Sequence, residues 1–469
     1  MKHYPNSLYQ AIGRRPMQFS DNPILATDAY KQTHWMQYPS GTEFVYSYLE
    51  SRKDDPTVFF GLQYFLQHIE GSIVTTAHVD EAEAFCRKVF GAEYFNRLGW
   101  LRIVNEHGGR LPLRIKAPPE GMVIPGRNVL VTMENTDPTC PFITNFMETW
   151  MLQVWYPITV ATRSYRIRKV IDEYARRTGC EVGPFHLNDF GFRGVSSRES
   201  AGIGGMAHLV MFDGTDNLEG IRYAMNTYEA SVCGHSVMAA EHSTVTAYGE
   251  GNETQAYAAI MEACPSDALL SIVADSYDIH HAVRHIFGNR LKSRILDRLG
   301  TVVIRPDSGP PSLMCAEVLA GLWGSFGGTT NPHGYRTLDP HVKVICGDGI
   351  DEDSIRRILD AITAPGLRFS TDNIVFGMGG ALLQQVHRDT HAFAFKCSAT
   401  CRNGVWHDVY KTTSSDPSKA SKRGRLALVE PGATVKSPHE DDLLTTVFED
   451  GEVRVRHHFD DVRRRAREN

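Results

Sequence analysis

The middle of the chain repeats one pattern: a short apolar run, a loop of Gly, Asp, Arg or Ser, then a stretch long enough for a helix. The runs are Phe185–Leu187, Leu209–Phe212, Ser236–Ala240, Leu269–Ala274, Val302–Ile304, Val342–Cys346 and Ile374–Phe376. The loops after them read NDFGFRG, DGTD, EHST, DSYD, RPDSG, GDGID and GMGG. Apolar runs without alternation predict parallel strands buried on both faces. Connecting stretches such as Ala316–Trp323 and Asp351–Ala361 suit crossover helices. Repeated strand, polar loop and helix predict an α/β barrel, in which the loops after the strands gather at one end and form the active site.

The two ends follow a different pattern. Residues 40–135 hold alternating segments (FVYSYLES, LPLRIKA, VIPGRNVLVTMEN) that predict antiparallel strands. From about residue 403, HDVYKT, GRLALV and VFEDGEVRVR read the same way, with Asp450 and Gly451 as a hairpin turn. Both ends are expected to build one sheet-rich domain from residues 1–150 and 391–469, around a barrel of residues 151–390. A chain of 469 residues is long enough for two such domains. The polar stretch 411–425 reads as a mobile loop.

Composition narrows the function classes. A formal charge of -6 gives no reason to expect nucleic acid as a partner. No apolar run is long enough for a bilayer, so no membrane association is expected, and the first 25 residues lack the apolar core of a signal peptide. Nine scattered cysteines, an odd number, suit a reducing cytoplasm. Cys397 and Cys401 read as a buried core pair, because no second pair completes a zinc site. His387 and His391 lack the acidic partner of a helical metal motif. His280–His281 and His457–His458 read as surface histidines, and the terminal RRRAR as a solvated helix end.

Three groups carry candidate chemistry. GMGG (377–380) follows a strand and precedes ALLQQVHRD, which reads as a helix, so its amides and the helix start suit an anion. Arg305, Arg388 and Lys396 add cationic groups suited to more than one phosphate, although each Arg taken singly reads more readily as an ordinary surface ion pair. Asp216, Asp275, Asp307 and Asp348 all follow strands. Convergent acids suit Mg²⁺ or sugar hydroxyls, and helix N-capping is the competing reading. His242, in SVMAAEHSTVTAYG, is the third candidate. An acid holding one ring nitrogen would leave the other nucleophilic, whereas most lone histidines are structural. Asp275 lies one strand further along.

These residues sit within motifs that resemble a known family. ATDAYKQTHWMQYP (26–39), FGLQYFL, NTDPTC, WYPITVAT and DFGFRGVSSRESAGIGG (189–205) resemble the nicotinamide phosphoribosyltransferases. So do GTDN, AAEHST, DSYDI, IRPDSG, GDGID, FGMGGALLQ, FKCS and SKRGRL, in the same order, over about residues 22 to 463. The resemblance implies a type II phosphoribosyltransferase-like α/β barrel with a second, sheet-rich domain, working as a homodimer with shared active sites. It implies transfer of phosphoribosyl from phosphoribosyl pyrophosphate to nicotinamide, with Mg²⁺ held mainly by the substrate phosphates and ATP as co-substrate.

By matching motif, Phe190 would stack on one face of the pyridine ring and Tyr30 of the partner subunit on the other. Arg193 would lie near carboxamide and phosphate, and Asp216 would accept from the carboxamide NH₂. Arg305, Gly379, Gly380, Arg388 and Lys396 would hold phosphates, and Asp307 and Asp348 ribose hydroxyls or Mg²⁺. Ser236 and Gly347 complete the implied substrate-binding set. His242 matches the histidine that ATP phosphorylates, with Asp275 orienting it. The chain departs from the family in a shorter stretch after LESRKDDPT and in KRGR for the commoner KKGR. The closest competing reading is a nicotinate phosphoribosyltransferase, which Asp216 argues against. A non-catalytic phosphosugar-binding module has no need of His242, and a generic barrel lyase or isomerase leaves the two rings and the carboxamide acceptor unexplained.

Overall fold

The computed structural model describes residues 22–412, 420–430 and 432–468. The reading of the extreme N-terminus therefore falls largely outside the described residues, as does the centre of the 411–425 loop.

The ends of the chain do build one sheet. Its seven antiparallel strands run in the order Val405–Asp408, Ala394–Arg402, Thr42–Glu50, Val129–Asn135, Leu113–Ala117, Thr445–Glu449, Glu452–Val453. The register pairs Tyr48 with Lys396 and with Thr132, so strands about 350 residues apart in sequence lie side by side. Asp450 and Gly451 make the expected hairpin turn, both at positive φ (49° and 83°), as a tight two-residue turn requires. This region also holds helices Thr76–Phe90 and Arg97–His107, each ended by a left-handed glycine, Gly91 and Gly108. His107 Nε2 (2.8 Å) and Arg102 Nε (2.9 Å) converge on the carboxylate of Asp137. Cys140 completes a trio of metal-ligand types with His107 and Asp137. The Arg102 guanidinium already neutralises that carboxylate, so the group is an ion-pair staple.

The second sheet is parallel. Its order is Gly214–Thr215, Leu187–Asp189, Ile374–Met378, Val342–Cys346, Val302–Arg305, Leu270–Val273, Met238–Ala239. A bridge from Gly214 to His235, three residues before the last strand, joins the two edges and curls the sheet into a barrel. The inner strands are buried along nearly their whole length, as their unbroken apolar runs require. Crossover helices Pro311–Phe326 and Glu352–Thr363 stand where expected, the second opened by an Asp351/Ser354 capping box.

Three expectations are corrected. Leu209–Phe212 is no strand: it continues the end of helix Arg198–His208 as turns, with the Leu209 amide on Gly205 O and the Phe212 amide on His208 O. The strand of that unit is the two-residue Gly214–Thr215. A run of four apolar residues looks the same in a buried helix end and in a buried strand. His457 is half-buried beside Glu120, and burial pushes its imidazole down to about 4, so it is no surface histidine.

The third correction concerns RRRAR. Helix Phe459–Glu468 straps back onto the barrel with Phe459, Val462 and Ala466 buried. Arg463 donates to Leu209 O (2.8 Å), Cys233 O (2.8 Å) and Asp213 Oδ1 (2.8 Å), and Arg467 to Val210 O (3.0 Å). These carbonyls flank the short strand Gly214–Thr215 and the bridge at His235, so the strap secures the closing edge of the barrel. Arg463→Ala is expected to cost about 2–3 kcal/mol, because it strands carbonyls away from water. Urea denaturation of full-length protein checks this, and an unchanged midpoint would show the strap to be dispensable.

Candidate active site

The loops that follow the barrel strands bring most of the candidate residues together. Asp189 ends its strand and Phe190 follows, its amide bonded to Met378 O (3.0 Å) of the neighbouring strand. The Phe190 ring lies over two glycines. A Cβ at Gly377 would stand 2.0 Å from the ring and one at Gly347 3.4 Å from it. The first glycine of GMGG therefore makes room for the ring. Gly379 and Gly380 are the ones left open: a Cβ at Gly380 would meet nothing within 4 Å. The segment after them forms only one helical turn, Gly380–Leu383, so any anion there would rely on local amides more than on a helix dipole.

Asp216 is tied to the same place, its amide donating to Asp189 O (3.0 Å). Ser236 Oγ donates to Asp216 Oδ1 (2.5 Å), a charge-assisted bond that orients the carboxylate and leaves its second oxygen for another donor. An aromatic ring and a carboxylate acceptor thus stand on adjacent strand ends.

The second cluster centres on Asp275, half-buried at the end of strand Leu270–Val273. Its Oδ1 accepts from His242 Nε2 (3.0 Å), and its Oδ2 from the Asp307 amide (3.0 Å) and Ser308 Oγ (2.6 Å). Burial pushes the Asp275 carboxyl up, but the bonds from Ser308, His242 and Asp307 outweigh it and hold it below the usual carboxylate range. With Nε2 engaged, His242 Nδ1 keeps its lone pair in the neutral ring. Arg305 joins the cluster: Nη2 donates to Ala240 O (3.3 Å), and Nε is 3.7 Å from Asp307 Oδ1. Buried Nε has no hydrogen-bond partner, so this arginine is no satisfied surface ion pair and retains donor capacity.

The helix-capping reading of the four acids is overturned. The helices after them have their N-cap positions at Asn217, Asp278, Pro310 and Asp351, with side-chain caps at all but the proline. Asp216, Asp275, Asp307 and Asp348 are each one to three residues too early to cap and are left to other duties.

A third group forms on the sheet-rich domain. Burial holds the Lys396 ammonium below the usual lysine range; Glu148 pulls the other way, and the charges of Arg52, Lys31 and Arg388 add to the lowering. Three cations gathered around one half-buried lysine make an anion-attracting surface. Lys31 and Arg52, which sequence reasoning missed, are themselves held by Glu148 and Glu50. The signal for Lys31 was its place beside Tyr30 in ATDAYK. Arg388 fits the plain ion-pair reading as well, since its Nη2 bonds Asp389 Oδ1 at 2.8 Å.

Some candidates are not assembled. Tyr30 sits on the 3-10 helix Ala29–Met36, 55% exposed, and packs edge-on against His34; among the described residues it makes no ring contact with Phe190. Arg193 and Asp348 are exposed. Asp307 and Asp348 belong to no cluster of three metal-ligand side chains among the described residues. A divalent cation there would need most of its ligands from a substrate, and phosphate oxygens with one carboxylate are the donor set Mg²⁺ prefers.

Comparison with known proteins points one way. Residues 185–452 match the model of the nicotinate phosphoribosyltransferase (NAPRTase) family, and residues 22–115 match the N-terminal domain of nicotinamide phosphoribosyltransferase. The chain is 44% identical to a nicotinamide phosphoribosyltransferase of Xanthomonas campestris pv. campestris, over 95% of this chain and 100% of that one. It is 33% identical to one of Acinetobacter baylyi, over 96% and 98%. In fold it is similar to a nicotinate-nucleotide pyrophosphorylase of Pyrococcus furiosus (TM-score 0.61, 16% identity, 97% of each chain). It is also similar to human nicotinic acid phosphoribosyltransferase (TM-score 0.55, 16% identity, 94% and 93%).

Proposed function

The chain belongs to the nicotinate phosphoribosyltransferase family and within it to the nicotinamide phosphoribosyltransferases, and from that premise we propose that it joins nicotinamide to phosphoribosyl pyrophosphate, driven by ATP through His242. It is a pentosyltransferase of NAD biosynthesis. The observation that carries the choice of substrate is the pairing of the Phe190 ring with the Asp216 carboxylate on adjacent strand ends. A flat heteroaromatic stacks on the ring, and its carboxamide NH₂ donates to the acid.

The pyridine nitrogen brings its own lone pair, so no base has to deprotonate the nucleophile. It attacks the anomeric carbon as the bond to pyrophosphate breaks, and charge builds on the departing oxygens. Arg305 and the Lys396 group, with Arg193 and Arg388, receive that charge, and the Gly379 and Gly380 backbone leaves room for the phosphates. Asp348 and Asp307 hold ribose hydroxyls. Mg²⁺ arriving with the substrate would neutralise the pyrophosphate further, Asp307 being the carboxylate that would reach it.

ATP enters at His242. With Nε2 on Asp275, Nδ1 attacks the terminal phosphorus, the bond to ADP breaks, and ADP leaves with the electron pair. Water later takes the phosphoryl group from the ring nitrogen. The chain acts as a homodimer, Tyr30 of one protomer closing the pyridine pocket of its partner, which its 55% exposure supports. Nine free thiols suit a cytoplasmic workplace, and among the described residues no helix is long and apolar enough to cross a membrane.

The experiment for the reaction class is pyrophosphate release. Purified protein with Mg²⁺, phosphoribosyl pyrophosphate and nicotinamide is expected to release one pyrophosphate per nicotinamide consumed. No release with any pyridine acceptor would leave only a phosphosugar-binding module.

A further inference from the structure

One carboxylate between the two pyridine contacts has no part in the proposed chemistry. Asp189 is fully buried at the end of strand Leu187–Asp189. Its Oδ1 accepts from the Gly191 amide (2.7 Å) and its Oδ2 from Asn217 Nδ2 (3.0 Å). Its backbone oxygen accepts from the Asp216 amide (3.0 Å). Gly191 follows Phe190, and Asn217 follows Asp216, so all three bonds land on or beside the two residues that would hold the pyridine. Asn217 is itself fixed, donating to Ala201 O (2.8 Å) and capping the next helix through the Gly220 amide (3.2 Å). Space is tight: a Cβ at Gly191 would stand 3.0 Å from Asp189 Oδ1. Burial pushes the Asp189 carboxyl up to about 6 against the pull of the Gly191 and Asn217 bonds, and the charge on Asp216 adds to the rise. A carboxylate held in such a place by two neutral donors is costly to bury, and its partners give it a reason to be there.

We propose that Asp189 is the positioning residue for amide selectivity: through Gly191 and Asn217 it sets the Phe190 ring and the Asp216 carboxylate in one register, so that a ring stacked on the first presents its carboxamide to the second. This rests on the proposed function and deepens it. Asp189 touches no reacting atom, and its influence falls on nicotinamide alone. Phosphoribosyl pyrophosphate is handled by Arg305, Lys396 and their neighbours.

The test is Asp189→Asn in the full-length protein, assayed beside wild type. Asparagine keeps an acceptor for Gly191 and sets an NH₂ against that of Asn217. The expected result is a nicotinamide KM raised on the order of 10-fold and a nicotinamide-over-nicotinate preference lowered by a similar factor. KM for phosphoribosyl pyrophosphate and kcat should stay within about threefold. Asp189→Asn combined with Asn217→Asp exchanges donor and acceptor while keeping a helix cap, and should recover part of the lost preference. Should Asp189→Asn fail to fold, Asn217→Ser keeps a cap oxygen, removes the donor to Asp189, and must show the same selective rise. An unchanged nicotinamide KM in a folded variant overturns the proposal. So does a parallel rise in both substrate KM values, which is the mark of general loosening. Wild type separates the two levels: no nicotinamide turnover there fells the functional reading and this role with it, whereas normal turnover with an indifferent variant fells this role alone.

Discussion

Asp216→Asn is expected to lower the preference for nicotinamide over nicotinate by about 5- to 800-fold, corresponding to roughly 1–4 kcal/mol. The range follows from the Coulomb energy of two carboxylates a few ångströms apart at the effective dielectric of a partly enclosed site. Nicotinamide offers Asp216 an NH₂; nicotinate offers it a second negative charge. Ser236 already occupies Oδ1 of Asp216, so the incoming group meets Oδ2. Asparagine keeps an acceptor and removes the charge. Most of the change should therefore appear as improved use of nicotinate, with a smaller loss for nicotinamide. The measurement is the ratio of kcat/KM for nicotinamide and nicotinate in competition. An identical ratio in variant and wild type would remove Asp216 from the specificity account.

His242→Ala is expected to abolish ATP hydrolysis, by at least about 10³-fold, while transferase activity persists at saturating substrates. The two activities should separate because, in the proposed mechanism, the imidazole serves only the phosphoryl step. The Asp275 carboxylate that orients it is fixed from the other side by the Asp307 amide and Ser308 Oγ. Asp275 therefore links the histidine to the loop that follows Arg305, the loop that in the proposed mechanism would receive the phosphates of the second substrate. Loss of coupling should appear as weaker substrate binding in the presence of ATP, not as a slower transfer step at saturation. Undiminished ATP hydrolysis in His242→Ala would place the phosphorylated group elsewhere.

How much of this was legible in the sequence differs from element to element. Strands such as Val302–Arg305 and Val342–Cys346 stood out because both faces are buried and their apolar runs are unbroken. Gly214–Thr215 did not, because a two-residue strand of Gly and Thr carries no periodicity, and the apolar run before it belongs to a helix end. The acids after the strands were visible as residue types, but capping and catalysis ask for the same residues. Only the placement of the N-cap positions at Asn217, Asp278, Pro310 and Asp351 separates the two readings. GMGG looked like one phosphate loop, whereas its first glycine is required by the Phe190 ring. RRRAR looked solvated because its acceptors are carbonyls about 250 residues earlier in the chain. In the sequence Asp189 is only the first letter of DFGFRG. Its function lies in bonds to Gly191 and Asn217, and the second of these depends on the register of two neighbouring strands.

The most direct test of the central claim offers nicotinamide and nicotinic acid in parallel to purified wild-type protein with Mg²⁺ and phosphoribosyl pyrophosphate, with and without ATP, and identifies the mononucleotide formed. The account predicts nicotinamide mononucleotide as the main product, in higher yield when ATP is present. Nicotinic acid mononucleotide as the main product would contradict it, leaving the fold in place and showing that the carboxylate of Asp216 does not select the amide.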